Sequence, residues 1–165
     1  MTTAYDASNP IRALNDHNCF GCGSLNESGL HLHFYANPDG SVWAPFVPTR
    51  SFEGYGGMIH GGIISTLLDE IMAWSLYRQE IWAVTAAMQT RFRKPVEVGV
   101  PVRLVGRLEE HRGRLLQVRG ELRRESDDVL LAEASGTFMR VPDAQAAEWT
   151  ERYMTVPDAV AGDED

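Results

Sequence analysis

The sequence contains little cysteine and no long apolar segment. Only two of its 165 residues are cysteines, Cys19 and Cys22, and two thiols so close in sequence do not make the disulfide framework of a secreted protein. No run of about 18 apolar residues is present that could cross a membrane. The N-terminus lacks the basic and apolar regions of a signal peptide. These absences predict a cytoplasmic protein.

Positive charge is also scarce. The formal net charge is −8 at pH 7, which argues against a general nucleic-acid or membrane-surface binder. A local row of basic side chains can still bind an anionic ligand within an acidic protein. We therefore expect neither nucleic acid nor a membrane among the partners.

The hydrophobic pattern predicts one domain with a short segment on either side. A length of 165 residues suits a single hydrophobic core. We place a polar lead-in at residues 1–18 and the folded domain at 19–141. A short helix and an acidic tail are expected over residues 142–165.

Strand patterns surround a single long helix in the folded domain. The helix is expected over about residues 61–78, and its apolar positions cover most of its circumference. Alternating residues predict six strands, at 30–36, 41–47, 83–93, 101–110, 113–124 and 128–141. This order predicts an α+β fold in which a mostly antiparallel sheet curls around the helix.

The start of the helix and an aspartate near its centre suggest chemistry. The helix begins with His60, Gly61 and Gly62, where the first N–H groups have no acceptor within the helix. Glycines let a ligand approach this positively polarised end, which can stabilise an oxyanion. Asp69 lies about two turns further on, among small residues. Taken alone, such glycines are commonly a turn device, and such an aspartate is commonly a solvated residue.

The strand after the helix combines a hydroxyl with basic side chains. With a period of two residues and no bulge, Thr85, Arg91 and Arg93 share one face, and Lys94 follows. A hydroxyl near the reaction and cations beyond it would suit a long thioester that ends in phosphates. Arginines at a strand end are also commonly just solvated.

Four stretches, two of which overlap, resemble a known family. HGGIISTLLDE resembles the motif of PaaI-type hotdog-fold acyl-CoA thioesterases. GYGGMIHGG, together with AVTAAMQTRFRKP, is similar to the branch that includes the mitochondrial long-chain acyl-CoA thioesterases, as is the lead-in CFGCGSLNESGLHLHF. The resemblance implies a hotdog fold that hydrolyses acyl-CoA to free acid and coenzyme A. It implies no cofactor, since coenzyme A enters as part of the substrate.

The resemblance also implies roles for single residues. Asp69 matches the catalytic carboxylate, as general base or nucleophile, and Thr85 matches the hydroxyl that supports it or positions water. Gly61 matches the residue whose N–H polarises the thioester carbonyl, and His60 matches the adjoining orienting residue. Many members place Asn or Gln in the glycine-rich loop, where this chain has Glu53, which either substitutes or leaves the role vacant.

The implied substrate contacts lie beside these residues. Gly62 adjoins the oxyanion donor, and the basic row of Arg91, Arg93 and Lys94 would bind the phosphates of coenzyme A. We expect the acyl group in an apolar pocket between the helix and the sheet.

The spacing of Gly61 and Asp69 predicts a site shared by two chains. Eight residues on one helix correspond to roughly 12 Å along its axis. A base and an oxyanion donor must each lie within about 3 Å of the reacting centre. An antiparallel second helix would bring its own Asp69 beside the first chain's Gly61, so we expect a homodimer or tetramer with sites at the dimer interface.

Cys19 and Cys22, with His17, form a pattern that could hold zinc. A structural zinc site has four ligands, and the sequence offers no obvious fourth. We therefore interpret the segment as a small structural knuckle and expect no metal.

Two other functions remain open for the same fold. One is a non-catalytic acyl-CoA-binding regulator, which has no need for an acid and an oxyanion donor together. The other is a hydratase acting on enoyl-CoA.

Overall fold

The computed structural model describes residue 5 and residues 7–154; the predicted acidic tail after residue 154 lies outside this part. The strands are β1 Tyr35–Ala36, β2 Val42–Phe46, β3 Glu53–Tyr55, β4 Met58–Ile59, β5 Ala83–Phe92, β6 Val102–Arg112, β7 Leu115–Arg124 and β8 Leu130–Arg140. The helices are α1 Gly61–Tyr77 and α2 Asp143–Met154, and a short 3-10 turn spans Arg50–Phe52. No described helix has both the length and the apolar character needed to cross a bilayer.

Six strands form one antiparallel sheet in the order β1-β2-β6-β7-β8-β5. The helix α1 packs against this sheet, with contacts to β2 and to all four strands from β5 to β8. The predicted α+β fold, an antiparallel sheet around one long helix, is confirmed.

Glycines allow the helix to lie directly on the sheet. Gly106 and Gly120 are cross-strand partners on β6 and β7. A Cβ atom at Gly106 would lie 2.3 Å from the Ile71 carbonyl oxygen of α1, so no side chain fits there. The helix side chains Leu67, Leu68, Ile71 and Met72 are fully buried, and each such side chain contributes about 1.5–3 kcal/mol to folding.

The first predicted strand is wrong in its extent. The hairpin around residues 37–40 is present, but β1 covers only the last two residues of the expected 30–36. The Leu30 and Leu32 N–H groups donate instead to the carbonyls of Phe20 and Gly21. The backbone there is therefore bound to the loop that carries the two cysteines rather than to a strand.

The helix α2 docks through aromatic residues. Trp82 Nε1 donates a 2.8 Å hydrogen bond to Thr150 Oγ1, and the Trp82 and Trp149 rings meet edge to face with centroids 5.7 Å apart. The short helix expected in the C-terminal segment is confirmed at residues 143–154.

Candidate active site

The first turn of α1 leaves one backbone donor available. His60 caps the helix, and its Nδ1 atom accepts a 2.9 Å hydrogen bond from the Gly62 N–H. The His60 carbonyl accepts from Ile63 and Ile64. In the described part of the chain no acceptor pairs with the Gly61 N–H, so this donor remains free for a ligand.

A cleft of about 540 Å³ opens at Gly61. Its lining comes from the β3–β4 hairpin, the start of α1 and the end of β5: Gly54, Tyr55, Met58, Ile59, His60, Gly61, Ile64, Phe92, Arg93, Lys94, Pro95 and Val96. The structure thus brings the predicted oxyanion donor together with two of the three predicted cations. Phe92 packs beside the donor, since a Cβ atom at Gly61 would lie 3.5 Å from its ring.

Asp69 and Thr85 form the second half of the site. Thr85 Oγ1 donates a 2.8 Å hydrogen bond to Asp69 Oδ1. The register of β5 on β8 shifts by one residue here, because Thr85 pairs with Phe138 and Ala87 pairs with Thr137. Ala86 is the extra residue of a β-bulge, and the bulge leaves Thr85 on the face that meets the helix.

The predicted row of Thr85 and the arginines is therefore wrong. Beyond the bulge, Arg91 lies opposite Glu133 in the register, on the outer face of the sheet. Arg91 lines a separate cleft with Gln89, Arg119 and Glu133. A role for Arg91 in binding coenzyme A stays a prediction without support from this geometry.

On the outer face of the sheet, Glu133 of β8 pairs with Arg119 of β7 and with Arg93, the residue after β5. Arg93 Nε donates to its Oε1 atom at 2.8 Å, and Arg119 pairs with its Oε2 atom. The hydrogen bonds from Arg93, with the nearby arginine charges, lower the pKa of Glu133 below its ordinary value. Much of the Arg93 charge is thus neutralised, which leaves Lys94 as the less engaged cation of the cleft.

Glu53 stabilises its own loop. Its Oε1 atom accepts a 2.8 Å hydrogen bond from the Gly57 N–H. Gly56 and Gly57 have φ angles of +62° and +76°, the left-handed region that favours glycine. The glycine-rich loop thereby forms the β3–β4 hairpin, and a direct contact of Glu53 with substrate stays a prediction.

The interface between α1 and the sheet is closed by side chains. Leu67, Leu68, Ile71 and Met72 have no exposed surface, and Gly136 lies directly under Met72, whose Sδ atom a Cβ there would approach to 3.1 Å. The acyl pocket expected between helix and sheet stays a prediction; the cleft described above lies at the helix start, between Ile64 of α1 and Phe92 of β5. Sequence reasoning missed Phe92, although alternation put it on the apolar face of its strand.

The strand β5 is the open edge of the sheet. It pairs with β8 on one side, and most of its ten residues are exposed. Two of its apolar side chains are about half exposed, Val84 at 48% and Phe92 at 56%. The edge lies beside both halves of the site, since Thr85 and Phe92 belong to it.

Comparison with solved structures defines the class of fold. The chain aligns with a thioesterase superfamily protein at a TM-score of 0.70 and 25% identity, over 74% of this chain and 63% of that one. The PaaI protein of E. coli aligns at a TM-score of 0.64 and 18% identity, over 68% and 81% of the two chains. The architecture is the hotdog fold of these thioesterases.

Sequence comparison gives a partial family match. Residues 56–131, a little under half of the chain, match the model of the thioesterase superfamily. The chain is 25% identical to the acyl-coenzyme A thioesterase THEM4 of Xenopus laevis over 72% of this chain. It is 32% identical to an uncharacterised protein of Schizosaccharomyces pombe over 57% of this chain. The aligned parts cover 54% and 57% of these relatives, so the chain spans little more than half their length.

Proposed function

We propose that the protein is an acyl-CoA thioesterase, active as a symmetric dimer. The observation that carries the proposal is the split site. The hydrogen-bonded Asp69–Thr85 pair lies near one end of the open edge strand β5, and the free Gly61 N–H lies near the other end. The match of residues 56–131 to the thioesterase superfamily model and the similarity to a named acyl-CoA thioesterase support the same reaction.

The dimer would form along β5. Two copies of this strand, antiparallel to each other, would extend the sheet and cover Val84 and Phe92. This antiparallel pairing would bring the Asp69 of one copy toward the Gly61 of the other. The two groups could then act on one thioester, although they lie roughly 12 Å apart along a single helix. Two equivalent sites would result.

The reaction would use these groups at the thioester carbonyl. Asp69 either takes a proton from a water molecule as that water attacks the carbonyl carbon, or attacks the carbon itself. The carbonyl oxygen gains negative charge, which the Gly61 N–H stabilises. Collapse of this intermediate breaks the carbon–sulfur bond and expels the coenzyme A thiolate, which takes up a proton. In the second route the product is an anhydride of Asp69 with the acyl group, and water hydrolyses it to the free acid and the Asp69 carboxylate. Thr85 holds Oδ1 of Asp69 and leaves Oδ2 to face the substrate.

The substrate would lie in the cleft at the start of α1. Phe92 and Ile64 offer apolar contacts near the thioester. Lys94, with Arg93 beside it, offers positive charge for the phosphates of coenzyme A. Gly62 and His60 complete the turn that presents the oxyanion donor.

The decisive experiment measures free thiol release from a panel of short, aryl and long acyl-CoAs by the purified full chain. Asp69→Asn should abolish release, whereas the exposed Glu151→Gln on α2 should leave it unchanged. Tight binding of acyl-CoA without release would instead favour a regulator. Loss of the enoyl absorbance without thiol release would favour a hydratase.

A further inference from the structure

Three groups with metal-binding chemistry meet beside the central helix. The Sγ atoms of Cys19 and Cys22 and a carboxylate oxygen of Glu70 all lie within 4.8 Å of one another. The Cys19 sulfur lies 3.8 Å from Glu70 Oε1 and 3.9 Å from Oε2. Glu70 is 51 residues away from Cys19 along the chain, so folding alone brings the carboxylate to the thiols.

The loop that carries the cysteines is a tight knuckle. The Gly23 N–H donates to the Cys19 carbonyl at 2.9 Å, and a Cβ atom at Gly23 would lie 2.4 Å from the Cys19 nitrogen. The Cys22 thiol and the backbone N–H groups of Cys22 and Gly21 are hydrogen-bond donors to the Cys19 sulfur. The knuckle therefore holds the two sulfur atoms within 4.8 Å of each other.

Neighbouring side chains hold Glu70 in position. Trp74 Nε1 donates a 3.1 Å hydrogen bond to Glu70 Oε1, and the buried Trp74 ring stacks on Phe34 with centroids 4.2 Å apart. A Cβ atom at Gly21 would lie 2.4 Å from Glu70 Cδ, so the glycine lets the loop reach the carboxylate. A hydrogen-bond donor that orients a carboxylate in this way is typical of metal sites.

We propose that Cys19, Cys22 and Glu70 bind a divalent cation of the zinc class. Bond lengths of about 2.3 Å to sulfur and 2.0–2.2 Å to oxygen, at tetrahedral angles, place those two ligand atoms roughly 3.6 Å apart. The Cys19–Glu70 separations are close to that value. Thiolates favour zinc over magnesium or calcium, which prefer oxygen ligands.

The fold changes the ligand set that the sequence suggested. The Nδ1 atom of His17 accepts a hydrogen bond from the Cys19 N–H at 3.3 Å, so that nitrogen is engaged with the backbone. Glu70 takes its place as third ligand, and the fourth position is left for water. The cation would attach the cysteine loop to α1 at the residue next to Asp69.

The test uses the full chain after reduction and removal of bound metal with a chelator. Addition of Co²⁺ alone should give a sulfur-to-cobalt charge-transfer band that saturates at one equivalent. The band reports on this pair, because the sequence has no other cysteine. Zn²⁺ alone should displace Co²⁺, protect both thiols from alkylation and raise the midpoint of thermal unfolding.

Two matched variants assign the carboxylate ligand. Glu70→Gln should weaken Zn²⁺ binding by roughly tenfold or more, since even changes outside the ligand shell cost that much. Glu27→Gln, an exposed carboxylate of the same segment, should leave the affinity unchanged. Cys19→Ser should remove the charge-transfer band.

A wild-type chain that shows no thiolate–cobalt band and no protection by Zn²⁺ would overturn the proposal. So would a Zn²⁺ affinity that Glu70→Gln leaves intact. These readouts need only the wild-type chain and a conservative variant, so they do not depend on the folding of the cysteine variants. Thiol release from acyl-CoA is tested separately, because the proposed reaction uses none of these three side chains.

Discussion

Thr85 and Asp69 are joined by a 2.8 Å hydrogen bond from Oγ1 to Oδ1, and the bond exists because a one-residue bulge turns Thr85 toward the helix. The carboxylate would otherwise have no partner from β5. The pair fixes one oxygen of the carboxylate and leaves the other for chemistry.

Removal of this hydrogen bond should slow the reaction without abolishing it. Thr85→Val keeps the shape of the side chain but loses the donor, and a hydrogen bond to a charged group is worth about 1.5–3 kcal/mol. Because the pair is exposed to solvent, we expect kcat to fall about tenfold, near the low end of that range. Thr85→Ser keeps the hydroxyl and should retain most activity. Equal rates for the two variants would contradict the role of the hydroxyl.

Proline at residue 61 should remove the oxyanion donor while preserving the helix. The first position of a helix tolerates proline, and His60 has φ −60° and ψ 134°, a conformation that suits the residue before proline. Loss of one such donor costs about 10²–10³ in kcat. Gly61→Ala keeps the N–H, and its Cβ would lie at an ordinary 3.5 Å from Phe92, so it serves as the control. Circular dichroism checks that both variants fold.

Two inactive variants should regain activity when mixed. In a dimer of one Asp69→Asn chain and one Gly61→Pro chain, one site combines an intact Gly61 with an intact Asp69. Random exchange of equal amounts makes half of the dimers mixed, so about a quarter of the wild-type sites should return. Thiol release is measured before and after partial unfolding and refolding of the mixture. An exchanged mixture that stays inactive would mean that each site is built from one chain.

Alanine at Gly106 should destabilise the fold far more than alanine at Gly120. A Cβ at Gly106 would collide with the Ile71 carbonyl oxygen at 2.3 Å, whereas one at Gly120 would first meet the flexible Met72 side chain at 3.1 Å. Overpacking typically costs about 1–3 kcal/mol, and we expect Gly106→Ala at or above the top of that range. Urea unfolding of both variants measures the difference. Similar midpoints would contradict the direct contact of helix and sheet.

Glu133→Gln should lower stability at neutral pH and lose its effect in acid. Hydrogen bonds from Arg93 hold the pKa of Glu133 below its ordinary value of 4.5 in the folded chain. The ionised carboxylate therefore stabilises the fold above pH 4.5, and this contribution disappears as the pH falls through the lowered pKa. Thermal unfolding from pH 7 to pH 3 measures the difference, and Glu110→Gln, whose partner Arg112 is largely exposed, is the control. A difference that stays constant over this range would contradict the ion pairing.

Much of the fold follows from local sequence signals. The helix α1 and the four strands after it lie within two residues of their predicted bounds. In these segments the apolar periodicity and the turn residues that flank it indicate the same element and the same ends. The shortness of β1 could not be predicted. The backbone N–H groups of Leu30 and Leu32 donate to Phe20 and Gly21 in the cysteine loop, and local alternation of residues gives no sign of that contact. Gly56 and Gly57 are a sequence signal for the turn of the β3–β4 hairpin. The residues on either side do not alternate between apolar and polar, so the two short strands were not predicted.

The sequence suggested that Thr85 lies beside Asp69, but it did not give the directions of the side chains along β5. Asp69 and Thr85 could be paired from the family resemblance, and their hydrogen bond agrees. The bulge at Ala86 could not be seen in the sequence, because alanine carries no signal for an extra residue, and it places Arg91 on the face opposite to that of Thr85. Glu70 was missed for a different reason, since its partners Cys19 and Cys22 lie in a segment 51 and 48 residues away.

The absence of side-chain room under Gly106 bears on any redesign of this protein. For the proposed reaction, a helix whose backbone rests on the strand cannot shift to admit a longer or bulkier acyl group, and enlarging the interior by trimming Leu67 or Leu68 would cost stability. Selectivity for the acyl group of the proposed substrate should therefore depend on cleft surfaces such as Phe92 and Tyr55, where a change reshapes the cleft without loosening the core.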